Sequence, residues 1–549
     1  MKRSTYIWSL LVGCVAFATS CDLTENVQVK ADKSMIFGSK SGLELYSNSF
    51  YKALPTLKNG FMQDKMCDVG AVSNTDTFIK EGAYNTETAT SWSWGALKNV
   101  NYFIDGCNDP KYCTVEAETR DNYLGIARWF RAWFYYDKLT TYGEVPWFPN
   151  DIQSYQNDVM YKDRDSRDVI IRNLIADLDF AYEHIQATSS TGSATLTRWA
   201  AAALKSRVCL FEAAYRRYHN LTGLEITPEE LYREAAKAAK LVIDNSGCSL
   251  NTAAGKKGAY RDLFYSETPL TQEVILAVCA NEKSGIFGEQ NWWFNARSYG
   301  LCWSLVRSFV HTYLKQDGTP FTAAADYAVK SFAEEMEGRD LRLEQTVRGR
   351  NFLWDGKTAV ADIKNLSLTG YQVIKYTLDE SKYDGGAKNI NSIPLIRYAE
   401  VLLNYAEAQA ELGVLTDSEW ALTVGALRKR AGITGGTETL PTTVDSYLQR
   451  TFYPDVTSPV LLEIRRERAI ELVAEGMRFD DLRRWKCGSL METLPWSGIH
   501  IPGLEQPVDV NGDGVDDYYF TEGEVTAAPA AYRNIAIRVN QDGVGLYAE

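Results

Sequence analysis

The chain has 549 residues, long enough for several domains or one large helical body, and its 45% hydrophobic and 23% charged content is that of a globular protein, not a disordered one. A formal net charge of -13, with Lys+Arg 58 against Asp+Glu 71, argues against a nucleic-acid partner, since phosphates would be repelled and no basic run offsets this. Only four histidines are present, His184, His219, His311 and His500, and none shows metal-ligand spacing, whereas Tyr 32 and Trp 14 lift the aromatic share to 12% and suggest flat recognition surfaces.

The N-terminus reads as an export signal. Lys2 and Arg3 precede an apolar run from Tyr6 to Phe17, then Ala18-Thr19-Ser20-Cys21, small residues ending at a cysteine. This predicts a signal peptide over 1–20, lipidation of Cys21 and a polar tether over 21–34. Cys14, after Leu11-Val12-Gly13, is the rival lipidation site, but a cut there shortens the apolar run and strands Val15-Ala16-Phe17 on the mature protein. Eight cysteines remain without zinc spacing, and Cys107 and Cys113, flanking a short loop, are either a disulfide or two free thiols.

Apolar periodicity predicts helices near 92–105, 117–141, 165–187, 197–219, 228–245, 395–413, 416–431 and 459–486. The helix at 228 opens with Thr227 as N-cap, Pro228 in the first turn and Glu229-Glu230 against the positive end of the dipole. Its alanine face, Ala235-Ala236 and Ala238-Ala239, invites close approach of a neighbour. Over 395–413, Tyr398, Val401, Leu402, Tyr405, Ala408 and Leu412 form a buried stripe that Gly413 ends. Such pairs suggest tetratricopeptide-like stacking, although no clean period near 34 residues runs through the chain. Between about 246 and 394 the sequence turns loop-rich, with strand-like pieces at Glu273–Ala277 and Tyr371–Tyr376. The expected organisation is a single body over 35–549: helical scaffold at 92–245 and 395–486, variable lobe at 246–394 and irregular segment at 487–549.

Glu467, Glu471 and Glu475 recur at four-residue steps, which would place three carboxylates on one helical face. Like charges at that spacing repel by roughly 0.2–0.5 kcal/mol per pair. A glycosidase would need one carboxyl pKa raised, but arginine neighbours lower it, so an ion network with Arg468, Arg478, Arg483 and Arg484 is the expected reading.

The string Glu467-Arg468-x-x-Glu471-Leu472-x-x-Glu475-Gly476-x-Arg478-x-x-Asp481-Leu482-x-Arg484-Trp485 resembles the C-terminal signature of the SusD/RagB family. So do Ile396–Ala408 with Leu427–Gly432, and Arg128–Tyr136 with Tyr142-Gly143-Glu144-Val145-Pro146, in the family's order. The tail Asn534–Arg538 departs from the usual Pro-rich ending. This resemblance implies four tetratricopeptide-type helix pairs with a variable lobe, a lipid anchor at the outer-membrane surface, and a SusC-like TonB-dependent transporter as partner. It implies capture of glycan without cleavage, or of peptide in the RagB branch, and no required cofactor.

The family has no fixed sugar motif, so ring chemistry guides the choice: pyranose faces stack on Trp or Tyr while hydroxyls need amides, carboxylates or Arg. Trp292 and Trp293, with Asn291, Arg297 and Tyr299, are the first candidate, and Trp92 the second. Trp94 is expected to pack, and Trp303 to begin an amphipathic helix with Val306, Phe309 and Tyr313. Asp509, Asn511, Asp513 and Asp517 match the first half of a calcium loop, but Phe520 stands where the bidentate glutamate belongs, leaving a plain hairpin turn as the alternative.

Overall fold

The computed structural model describes residues 33–58, 67–73, 85, 92–295, 302–494, 496–539 and 544–545. Cys14, Cys21, Arg297 and Tyr299 therefore lie outside the described residues.

The protein is mainly helical, and five long helices open the frame: α1 (Gly95–Asn108), α2 (Ala117–Tyr142), α3 (Arg167–His184), α4 (Arg198–Tyr218) and α5 (Pro228–Asn245). After the lobe come α6 (Tyr398–Glu411), α7 (Pro459–Glu471) and α8 (Arg478–Arg484). Packing follows a stacked order, α1 on α2, α2 on α3, α3 on α4, α4 on α5, α5 on α6 and α6 on α7, with α8 returning to α4. Each helix thus buries what its sequence neighbour leaves open, as helix-pair solenoids do.

Local chemistry sets the ends. Thr227 and Glu230 form a full capping box at α5. Gly413 adopts φ 73°, and the N–H of Val414 returns to the Gln409 carbonyl at 3.0 Å, closing α6. The alanine face of α5 is buried as expected, and the close approach it permits is to α4 and α6. In α6, however, every residue from Tyr398 to Ala408 is buried, so the helix is enclosed on all sides instead of presenting one stripe.

Three predicted helices differ in form. Residues 395–397 belong to a strand, and the helix starts only at Tyr398. The segment 416–431 breaks at Thr423 into Asp417–Leu422 and Val424–Arg430, where Thr423 takes φ -107°, ψ -92°. The segment 459–486 breaks after Glu471 because Ala474 and Gly476 take left-handed φ values of 62° and 78°, which no helix tolerates. Glu475 therefore sits in the turn between α7 and α8. Trp303 begins no helix: it precedes the short strand Ser304–Leu305 and is buried in the core, its indole so close over Gly70 that a Cβ there would lie 2.5 Å from Nε1.

In the lobe, β1 (Val274–Val278) pairs antiparallel with β2 (Ile393–Arg397), so the lobe leaves and rejoins the frame at one two-stranded sheet. Tyr371–Tyr376 supplies only isolated bridges, Gln372 to Ser304 and Val373 to Val347. A small sheet closes the chain, with β3 (Gln506–Val508) antiparallel to β4 (Tyr518–Thr521) and β5 (Ala536–Arg538) parallel to β4. The unusual tail is thus a 3-10 turn, Arg533–Ile535, running into the strand Ala536–Arg538. One core cluster, extending from Phe37 to Val539, joins frame, lobe and final sheet.

Candidate functional site

The carboxylates at 467, 471 and 475 are structural. Glu471 is fully buried and accepts from Arg397 at 2.6 Å, Arg342 at 2.8 Å and also Arg430. Glu467 takes Arg342 at 2.6 Å and Arg428 at 3.2 Å, and Glu475 takes Arg397 and Lys375, each at 2.7 Å. Burial pushes the Glu471 carboxyl up, but Arg430, Arg397 and Arg342 outweigh it and hold it well below the usual range. Glu475 is lowered likewise, against burial, by Arg397 and Lys375. This is opposite to what a glycosidic acid requires.

The cations are not the expected ones. Arg468 pairs with Asp481 at 2.8 Å, Arg478 with Asp68 at 2.7 Å, Arg483 with Asp480, and Arg484 with Glu407 at 2.7 Å. Neutralising partners come instead from the lobe (Arg342, Lys375), from the end of β2 (Arg397) and from 424–430 (Arg428, Arg430). Only folding brings these together, so local spacing could not reveal them.

Trp292 and Trp293 lie in a short helix of the lobe, Gln290–Asn295. Both are half-buried. Trp293 packs against the main core, whereas Trp292 lies along the backbone of Gly386, where a Cβ would meet its ring at 3.4 Å. Asn291 is fully buried: its amide donates to the Leu378 carbonyl at 2.8 Å and to Asp384 at 3.1 Å, and accepts from Leu378 N–H and the Asn389 amide, each at 2.7 Å. With its bonding capacity filled, it anchors the loop and offers nothing to a ligand. This corrects the expectation that Asn291 faces a sugar.

Trp92 is differently placed. It is 42% exposed just ahead of α1, its ring edge-on to Trp94 at 5.2 Å and to Tyr142 at 4.9 Å. The guanidinium of Arg164 lies 5.6 Å from its ring centre. Trp94 packs on Phe134 and Phe148, as expected of a core residue, and so steadies Trp92 from below. Arg164 comes from the connection between α2 and α3, which also carries Tyr155 and Tyr161, 79% and 80% exposed. Sequence reasoning passed over these tyrosines because no periodicity marks a residue as exposed. Large aromatic surface left in water at this density is a mark of binding surfaces.

The aspartate-rich loop is the turn between β3 and β4. Asp509 accepts from Gly512 N–H at 2.7 Å, Asp513 N–H at 3.2 Å and Gly514 N–H at 2.7 Å, and Asp517 accepts from Val510 N–H at 2.8 Å. Its oxygens tie the turn, and among the described residues no three Asp, Glu, His or Cys side chains are grouped to hold a metal ion. Cys107 and Cys113 are both free thiols.

Stacked helix pairs carrying an irregular lobe, closed by a buried arginine–carboxylate lattice, define a helical binding scaffold. Comparison with known proteins shows which fold this scaffold resembles. Residues 272–534 match the model of the SusD family. A SusD-like carbohydrate binding protein from Bacteroides fragilis shares the fold with TM-score 0.67 and 20% identity, over 87% of this chain and 94% of that one. A second SusD-like protein from the same organism aligns with TM-score 0.61 at 22% identity, over 83% and 88%. A third structure, described as holding a xylogluco-oligosaccharide, aligns with TM-score 0.52 at 18% identity over 82% of each chain. No curated protein matches the sequence. Residues 272–534 thus carry a match to the SusD family, and the fold as a whole is SusD-like.

Proposed function

We propose that the protein is a non-catalytic glycan-binding lipoprotein that captures oligosaccharide at the cell surface and passes it to a SusC-like TonB-dependent outer-membrane transporter. The observation that carries this reading is Trp92: a partly exposed indole, braced by two aromatic rings and covered on one side by Arg164. A pyranose needs this pairing, a flat face for its C–H groups and a fork of N–H donors for its hydroxyls. Trp292, at the surface of the lobe, is the second contact point. Relatives of the same fold described as carbohydrate-binding support the ligand class. Anchoring through a lipidated Cys21 fits the leader, and among the described residues no helix is long and apolar enough to cross a membrane.

Calorimetry against a glycan panel, with reducing-end analysis of the same mixtures, tests the proposal. Heat of binding without new reducing ends is the expected result. New reducing ends would make the protein an enzyme, and heat only with oligopeptides would transfer the reading to peptide capture.

A further inference from the structure

A cavity lies away from Trp92. Its volume is about 150 Å³, and it is lined by the α3–α4 connection, the turn after α5 and the residues entering β1. Seven lining side chains are hydroxyls: Thr188, Ser189, Ser190, Ser193, Thr197, Ser246 and Thr271; none of the twelve lining residues is charged, and Trp199 supplies an aromatic wall. A space of this size accommodates one six-membered ring.

The walls are fixed by bonds that leave part of the lining unused. The Trp199 indole N–H donates to the Thr188 carbonyl at 3.0 Å, which orients the ring. Thr197 caps α4 and Ser249 N–H bonds the Gln272 carbonyl at 2.9 Å, which ties the turn after α5 to the approach of β1. Ser190 pairs with Thr195 at 2.8 Å. Among the described residues nothing hydrogen-bonds the side-chain hydroxyls of Thr188, Ser189 and Thr271, so three donor–acceptor groups beside a flat indole remain available.

We infer that this cavity is a binding site for a single neutral polyhydroxylated six-membered ring, such as a terminal pyranose. Absence of charge excludes phosphorylated or acidic rings as preferred ligands, and the hydroxyl lining disfavours a purely apolar one. The site is separate from Trp92. The N-terminal part of α2 meets this region, with Asn122 accepting from Gln186 N–H at 2.9 Å, while Trp92 rests on Tyr142 at the other end of the same helix. Twenty helical residues at roughly 1.5 Å each place the two ends about 30 Å apart. The inference rests on the glycan reading only for its choice of probe.

Cys248, half-buried in the lining, is a native reporter. Iodoacetamide alkylation would be followed by peptide mass spectrometry with and without methyl α-glucopyranoside, using Cys279 and Cys487 as internal controls. With glycoside at ten times its dissociation constant, alkylation of Cys248 is expected to slow about ten-fold and the controls to stay unchanged. Thr271→Tyr, a change at an exposed rim position, is expected to remove the dependence on glycoside while melting as the wild type does. Trp92→Ala is expected to retain it. No slowing at about 100 mM glycoside, a hundred-fold excess over a millimolar dissociation constant, overturns the inference, as does slowing that persists in Thr271→Tyr. Oligosaccharide binding lost in Trp92→Ala with Cys248 never protected would leave the glycan reading standing and this site refuted; the converse pattern would do the reverse.

Discussion

Arg478 and Asp68, 410 positions apart, meet in a two-pronged pair, Nε to Oδ1 and Nη2 to Oδ2, both at 2.7 Å and both buried. Tyr453 adds its hydroxyl to the same guanidinium at 2.8 Å. A residue of the C-terminal signature thus pins an N-terminal segment to the frame. Arg478→Ala leaves Asp68 buried without its cation, and a loss of about 3–5 kcal/mol of unfolding free energy is expected in urea titration. Arg172→Ala, which breaks an exposed pair with Glu225, is expected to cost no more than about 1 kcal/mol.

The arginine lattice sets a pH dependence of one sign in acid. Glu471, Glu475, Glu407, Glu463 and Asp481 all have carboxyls held below their ordinary values by adjacent guanidiniums or, for Glu475, by Arg397 with Lys375, against the opposing effect of burial. The unfolded chain therefore binds more protons as acid is added. Their contribution is fully present above about pH 4.5 and is lost progressively as pH falls below it, at about 1.4 kcal/mol per unit for each group titrating. Melting temperature measured from pH 7 to pH 3 is expected to fall steeply below pH 4.5, and a flat profile would contradict the lattice.

Lys375 gives a dependence of the same sign in a higher pH window, although at neutral pH its burial costs stability. Burial lowers its ammonium from 10.5 to about 8, even though Glu475 and Glu471 favour the charged form. Between those values the unfolded chain again holds more protons, so this group makes stability rise with pH from about 8 to 10.5, by an amount on the order of 3 kcal/mol. Lys375→Met is expected to flatten that part of the profile, read from denaturant midpoints at pH 7.5 and pH 10.

For the proposed glycan contacts, Trp92→Ala is expected to weaken oligosaccharide binding by about 1–3 kcal/mol in calorimetry. Trp292→Ala is expected to act in the same direction if the ligand reaches the lobe. Trp293→Ala should instead lower stability, because that ring packs on the core. Unchanged affinity in Trp92→Ala with an intact fold would remove the site from consideration.

At the β3–β4 turn, calcium is expected to give no heat above buffer at millimolar concentration. Asp509→Ala should nevertheless cost about 1–2 kcal/mol, since three backbone N–H groups lose their acceptor. Heat on calcium addition would show that the aspartates exchange these amides for a cation.

What the sequence discloses and what it withholds divide along the range of the interactions. Helix α5 is written locally, by Thr227, Pro228, Glu230 and an alanine face, and α6 ends where Gly413 stands. The breaks at Thr423 and Ala474 are not local: non-glycine residues take unusual backbone angles there because packing over-determines them. The same holds at the sites. Trp92 is recognisable by type and place, yet Asn291, equally suitable by type, spends its amide on Leu378, Asp384 and Asn389. Arg342 and Arg397 carry no mark that distinguishes them from solvent-facing arginines until the lobe folds back on α7.

That folding back has a consequence for how the chain can be divided. Charge is traded in both directions: Arg342 and Lys375 leave the lobe to serve Glu467, Glu471 and Glu475, while Glu273, at the lobe's entrance, receives Arg397 and Arg430 from the far side. Excising residues 246–394 would strand anions and cations alike in a low-dielectric interior. The root of that insert is riveted into the frame, and neither piece is a portable module.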